Sequence, residues 1–148
     1  MSGGLVKVLV SDVRTAVPAT PGVEAGRVTL QEESPPYRSL SIVIAQPEAR
    51  AINAAWSRVV APRPSTWDLF IAALDLLGAR IVRVVVASVE EGRHFFAYAV
   101  IDRDGEQVEL PARPSDALAL ALRASDAEIL VAEQVFVDLG LAEPLPDN

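Results

Sequence analysis

A chain of 148 residues with 51% hydrophobic side chains can bury one substantial core, which excludes a disordered segment. The formal net charge of −7 argues against broad binding along a phosphate backbone, and all but one of the basic residues are scattered arginines. That acidity leaves metal-assisted phosphodiester chemistry open, because such chemistry needs carboxylates. With no cysteine there is neither a disulfide framework nor a thiolate metal site, and a cytoplasmic protein is expected. No apolar run approaches the ~20 residues of a membrane span, so no membrane partner is expected. Met1-Ser2-Gly3-Gly4 lacks the basic flank and apolar run of a signal peptide.

Leu5 to Val13 alternates and is rich in β-branched residues, which predicts a strand. Thr15 to Gly26 carries Pro18, Pro21, Gly22 and Gly26 and reads as an irregular loop. Arg27 to Glu32 is a second strand, followed by a turn at Pro35-Pro36. Leu40 to Ala45 is a third, and its run Ile42-Val43-Ile44 predicts burial on both faces. A helix follows from about Pro47 to Arg58, with Pro47 at its first position and Glu48 in its first turn. Its expected apolar face is Ala45, Ala49, Ile52, Ala55, Trp56 and Val59. After Ala61-Pro62-Arg63-Pro64, Ser65 or Thr66 caps another helix, with Asp68 spaced for a capping box from Ser65. Trp67, Phe70, Ile71, Leu74 and Leu77 keep helical spacing up to Gly78, which is placed as a stop.

Arg80 to Val89 and His94 to Asp102 are predicted strands about a turn at Glu91-Gly92, and Asp104-Gly105 turns into Gln107 to Leu110. Pro114 opens a helix to about Ser125, in which every residue from Ala117 to Leu122 is Ala or Leu, so burial on nearly all sides is expected. Glu128 to Val131 is a short strand and Glu133 to Leu139 a short helix ending at Gly140. One domain over residues 1–140 is expected, with 141–148 a frayed tail. The fold class is α+β, a mixed or antiparallel sheet of about seven strands with three main helices. Ala45-Gln46-Pro47-Glu48 and Ala112-Arg113-Pro114-Ser115-Asp116 echo each other, each a strand end turning into an Ala-rich helix with an acid in its first turn. The echo suggests two strand–helix half-domains with Glu48 and Asp116 in matching places.

The chain carries no Gly-rich phosphate loop, no nucleophile elbow and no Cys/His metal spacing. The sole histidine, His94, reads as a surface or hairpin residue without a sequence-near partner. What remains is a set of carboxylates at helix starts: Glu48, Asp68 and Asp116. Capping explains each one. Brought together, two or three of them could hold Mg2+ or Mn2+ through oxygen ligands. Asp116 is expected to pair with Arg113 or with Arg123, which lies two turns along the same face.

Four segments carry a family resemblance: Ile42 to Ile52 (I-V-I-A-Q-P-E-A-R-A-I), Arg63 to Leu69 (R-P-S-T-W-D-L), Leu76 to Val84 (L-L-G-A-R-I-V-R-V) and Ala112 to Arg123 (A-R-P-S-D-A-L-A-L-A-L-R). On these, the chain resembles the bifunctional nuclease (BFN) domain family from about Leu5 to Gly140. The resemblance implies an α+β fold, a homodimer or larger homo-oligomer, and hydrolysis of DNA and RNA. By position it points to Glu48, Asp68, Arg113, Ser115 and Asp116 as site residues. In a metal-assisted nuclease the three acids would bind Mg2+ or Mn2+ and Arg113 would stabilise the developing phosphate charge. Two departures weaken that activity. Trp67 stands where the family commonly has His, and Ala45 where it has Gly. The Pro-rich stretch 15–26 also looks unlike the short hairpin expected there. The alternative is a non-catalytic homo-oligomeric scaffold or regulatory binding protein of the same fold.

Overall fold

In the computed structural model, which describes residues 4–141, seven strands form a single sheet in the order β3-β2-β1-β7-β4-β5-β6. The strands are β1 (Leu5–Thr20), β2 (Val23–Glu32), β3 (Ser39–Ile44), β4 (Ala79–Glu90), β5 (His94–Arg103), β6 (Glu106–Ala112) and β7 (Glu128–Ala132). The helices are α1 (Gln46–Trp56), α2 (Thr66–Leu76), α3 (Pro114–Ala121) and α4 (Glu133–Asp138). All neighbouring pairs are antiparallel except β4 with β7, which makes the sheet mixed. The expected frayed tail, apart from Leu141, and Met1 to Gly3 lie outside the described residues. No helix among the described residues is long and apolar enough to cross a membrane.

The internal echo has a structural counterpart. One antiparallel meander, β1-β2-β3, runs into α1; a second, β4-β5-β6, runs into α3. The last strand of each meander is an edge of the sheet, and β7 joins the two between β1 and β4. Helix α3 packs on α1, α2, β4 and β5. Ser115 and Ala117 to Ala121 are all buried there, as the Ala/Leu run requires. Around it lie Val28, Leu30, Ile52, Ile81, Val84, Val131 and Phe136 in one apolar cluster. Each fully buried large aliphatic contributes on the order of 1.5–3 kcal/mol.

Several expectations need correction. Residues 15–26 are not an irregular loop: β1 continues to Thr20, turns at Pro21-Gly22 and returns as β2 from Val23. Pro at the first central position and Gly at the second, with Gly22 at φ +77°, suit a tight turn. Pro18 is tolerated because β1 pairs with β7 only as far as Val8, so the outer strand edge needs no donor there. Gly26 is extended strand rather than a breaker. A Cβ there would collide with the Ala49 side chain, so the glycine lets α1 lie directly on β2.

The run Ile42-Val43-Ile44 is likewise not buried on both faces. As an edge strand β3 alternates, with Ile42 buried and Val43 63% exposed. Helix α1 ends at Trp56, one turn short of its expected apolar face, leaving Trp56 and Val59 exposed. Helix α3 ends at Ala121, before the expected Ser125.

Candidate functional site

The two meanders deliver two helix entrances to one place. Ala45 and Arg113, both extended, are the N-caps of α1 and α3, and neither makes a side-chain cap. The first turn of each helix carries an acid instead, Glu48 in α1 and Asp116 in α3. Arg113 bridges them. Its Nε and Nη2 donate to Asp116 Oδ2 and Oδ1 at 2.7 and 3.1 Å, and Nη2 reaches Glu48 Oε1 at 3.4 Å. The Asp116 carboxylate beside it, then Glu48, hold the guanidinium above its ordinary pKa.

This bridge is incomplete. Arg113 Nη1 makes no hydrogen bond among the described residues, and the side chain is 66% exposed. Glu48 is the reverse: only 15% of its side chain is exposed, and its second oxygen, Oε2, is buried without any partner. A buried carboxylate oxygen without a donor is costly and is uncommon in folded proteins.

Trp67 completes the Asp116 shell, its indole N–H donating to Oδ1 at 3.1 Å. Half-buried, it is packed against the core as expected, and its polar edge finds a partner, as indoles at such depth generally do. The residue that replaces the family's histidine is thus a fixed, non-titrating donor to the same helix entrance.

Asp68 sits in a second, separate cluster. The Ser65 backbone N–H and hydroxyl donate to Oδ2 at 2.7 and 2.8 Å, and the Asp68 N–H donates back to Ser65 Oγ at 3.2 Å. The predicted capping box is therefore present. Arg123 Nε donates to Asp68 Oδ1 at 2.9 Å, and its other nitrogens donate to the carbonyls of Ala119 and Ala51. The Ser65 backbone and hydroxyl bonds, then Arg123, lower the Asp68 pKa. Arg123 thus pairs with Asp68 and not with Asp116, and it lies 5.9 Å from the Trp67 ring, within cation–π range.

A divalent cation held by protein oxygens needs several carboxylates turned to one point. Glu48, Asp68 and Asp116 are not so arranged: the two aspartates are each taken up by an arginine and a further donor. Among the described residues no group of three or more His, Asp or Glu side chains is placed to share a metal ion. The residues present do not fit a shared metal.

What the fold does build is a cavity of about 360 Å3 beside the two entrances. Glu48, Arg113 and Ser115 line it, and so do Arg93 from the β4–β5 turn and His94 and Phe96 from the start of β5. Ser115 is 6% exposed, at the cavity wall. His94 is an exposed hairpin residue, as its sequence context predicts, and its Nε2 lies 3.9 Å from the Glu91 carboxylate. Its arrival at this cavity is a contact between the two meanders that no local spacing encodes. The exposed Phe96 beside Arg93 and His94 was the one available hint of a surface with a use.

A family model described as a bifunctional nuclease domain matches residues 28–143. Two uncharacterised proteins from two strains of Mycobacterium tuberculosis are each 38% identical over 117 residues, covering 79% of this chain and 68% of the relative.

Proposed function

The chain belongs to the bifunctional nuclease domain family, and on that premise we propose that it hydrolyses phosphodiester bonds of DNA or RNA at the cavity between the two strand–helix entrances. The observation that carries the reading is the unspent pairing capacity there: a cation with a free N–H, Arg113 Nη1, and a buried carboxylate oxygen with no donor, Glu48 Oε2. A backbone phosphate would satisfy the first, and Glu48, which lines the same cavity, would take a proton from an attacking water.

In this mechanism Arg113 donates to a non-bridging phosphate oxygen, where negative charge grows as the phosphorus becomes five-coordinate. Asp116, held by Trp67, fixes the guanidinium from behind. Glu48 accepts a proton from water as its oxygen attacks phosphorus. The bond to the leaving sugar oxygen breaks, and that oxygen takes a proton from the His94 imidazolium. Ser115 shapes the wall and can donate its hydroxyl. Asp68 has no part in the step and serves as the cap of α2. No step passes through a metal, since the donors do not fit one.

The test is hydrolysis of single-stranded DNA and RNA by purified protein, with chelator and with added Mg2+ or Mn2+, beside Arg113→Ala and Asp116→Ala. Activity in the wild type that drops about a hundredfold in both variants supports the reading. Equal activity in all three preparations means a contaminant and ends it.

A non-catalytic homo-oligomeric binding domain is favoured by a different observation. On α2, Leu69 and Leu76 lie two turns apart on one face, 65% and 87% exposed, and Leu77 just past its end is 60% exposed, with no covering element among the described residues. In that reading the face is the self-association surface. Leu76→Glu with Leu77→Glu turns an oligomer into a monomer by light scattering, and a wild type that is already monomeric removes it.

A further inference from the structure

We propose that a second depression, the groove between α1 and α2, is a binding site for a small amphipathic anion: an aromatic carboxylate or sulfonate. The groove has a volume of about 740 Å3, within the range of small-molecule sites. It shares no lining residue with the cavity beside Arg113, so the two sites stand or fall separately.

The floor of the groove is apolar, formed by Ala51, Ala55, Leu122 and the Trp67 ring. Two arginines, Arg50 and Arg58, stand on its rim. Neither has an ion-pair partner among the described residues. The sole acid in the lining is Asp68, and its oxygens already serve Ser65 and Arg123. On a chain of net charge −7, the groove is therefore a place where cations outnumber available anions. The chain beyond Arg58 closes one side, pinned where the Val59 N–H donates to the Ala54 carbonyl at 2.8 Å and stiffened by Pro62 and Pro64.

These features select the occupant by charge and shape. A polyanion would need cations along its length, and besides the two rim arginines the lining offers only Arg123, whose nitrogens are already bonded. A neutral apolar molecule would cover the floor but leave both arginines unpaired. An aromatic body with one anionic head satisfies floor and rim together, stacking beside Trp67 while the head meets an arginine of the rim.

The probe for the experiment is anilinonaphthalene sulfonate, titrated into the full chain and followed by energy transfer from tryptophan and by calorimetry. Saturable binding of one dye per chain is expected. The double variant Arg50→Gln with Arg58→Gln weakens it about tenfold, as loss of two exposed charge contacts should. Neutral N-phenylnaphthylamine binds the wild type about tenfold more weakly than the sulfonate for the same reason. Melting curves establish that the variants are folded. Val60→Glu, at a lip residue 93% exposed, is a second way to repel the head and should also weaken binding. Leu76→Ser with Leu77→Ser should leave the affinity unchanged. Equal affinity in wild type and the arginine double variant overturns the proposal. So does loss of binding in the leucine double variant, which would place the dye on the outer face of α2.

Discussion

Two clusters in this molecule are built on the same plan, one arginine between two acids, and they differ in whether that plan is finished. Arg38 lies between Glu32 and Glu133. Its Nε and Nη2 donate to Glu32 at 2.9 and 2.7 Å, and Nη1 and Nη2 donate to Glu133 at 2.7 and 2.8 Å. Its backbone N–H adds a bond of 2.7 Å to Glu32, and its guanidinium lies 4.2 Å from the centre of the Phe136 ring. Only 17% of the Arg38 side chain is exposed. Every nitrogen donates, and four of the five N–H groups are used. Arg113, between Glu48 and Asp116, keeps Nη1 unbonded and is mostly exposed, and one Glu48 oxygen has nothing. A nearly saturated, largely buried cluster leaves little capacity for a ligand and acts as a clamp from β2 and the residue before β3 to α4. An unsaturated one beside a cavity keeps capacity for an incoming group, at some cost in stability.

Removing the clamp should have the largest effect. Arg38→Ala strands two acids near the core and is expected to cost about 3–5 kcal/mol, seen as a melting temperature lower by roughly 10 °C. If the drop is no larger than that of Arg113→Ala, the two clusters are energetically alike and the distinction fails.

Acid is the next probe. Hydrogen bonds from Arg38 lower the pKa of Glu32 and of Glu133 below the ordinary 4.5. Folded values below unfolded ones mean that the contribution is complete above about pH 4.5 and disappears as pH falls through the folded values. Denaturant melts between pH 6 and 3 should show wild type losing stability in that window, and Arg38→Ala losing markedly less.

At the open cluster the expected stability effects shrink while the functional ones grow. Arg113→Ala should cost less than about 1 kcal/mol, since the pair is exposed, yet lower phosphodiester hydrolysis about a hundredfold. The smallest stability change is expected from Glu48→Gln. It removes a buried charge with an unpaired oxygen, so the melting temperature should hold or rise slightly while hydrolysis falls. A large loss of stability in Glu48→Gln would show that this carboxylate is structural, and would join the open cluster to the closed one.

Much of this was legible beforehand because it is local. Pro114 in the first helical turn, the Ser65–Asp68 capping box, the Asp104-Gly105 turn and the buried Ala/Leu run of α3 are each set by residues within a turn or two of one another. Even the repeated strand–helix design showed as a short echo. Misreadings arose where a local rule was overruled from afar. Pro18, Pro21 and Gly26 look like breakers, yet each occupies a position where the ladder needs no donor or where α1 needs room. Ile42-Val43-Ile44 looks like a central strand, and only the strand order makes it an edge.

Sequence by itself determined most of the elements, the family and which acids stand at helix starts. Tertiary structure alone decided the pairings: Arg123 with Asp68, Arg113 across to Glu48, Trp67 on Asp116, and His94 at one cavity with Glu48 and Arg113. The reason is physical. A helix start is fixed by backbone groups a few residues apart, whereas a side chain's charge partner depends on which distant strands the sheet brings to one place. The same acid reads identically in the chain whether its oxygens end up fully paired or left open.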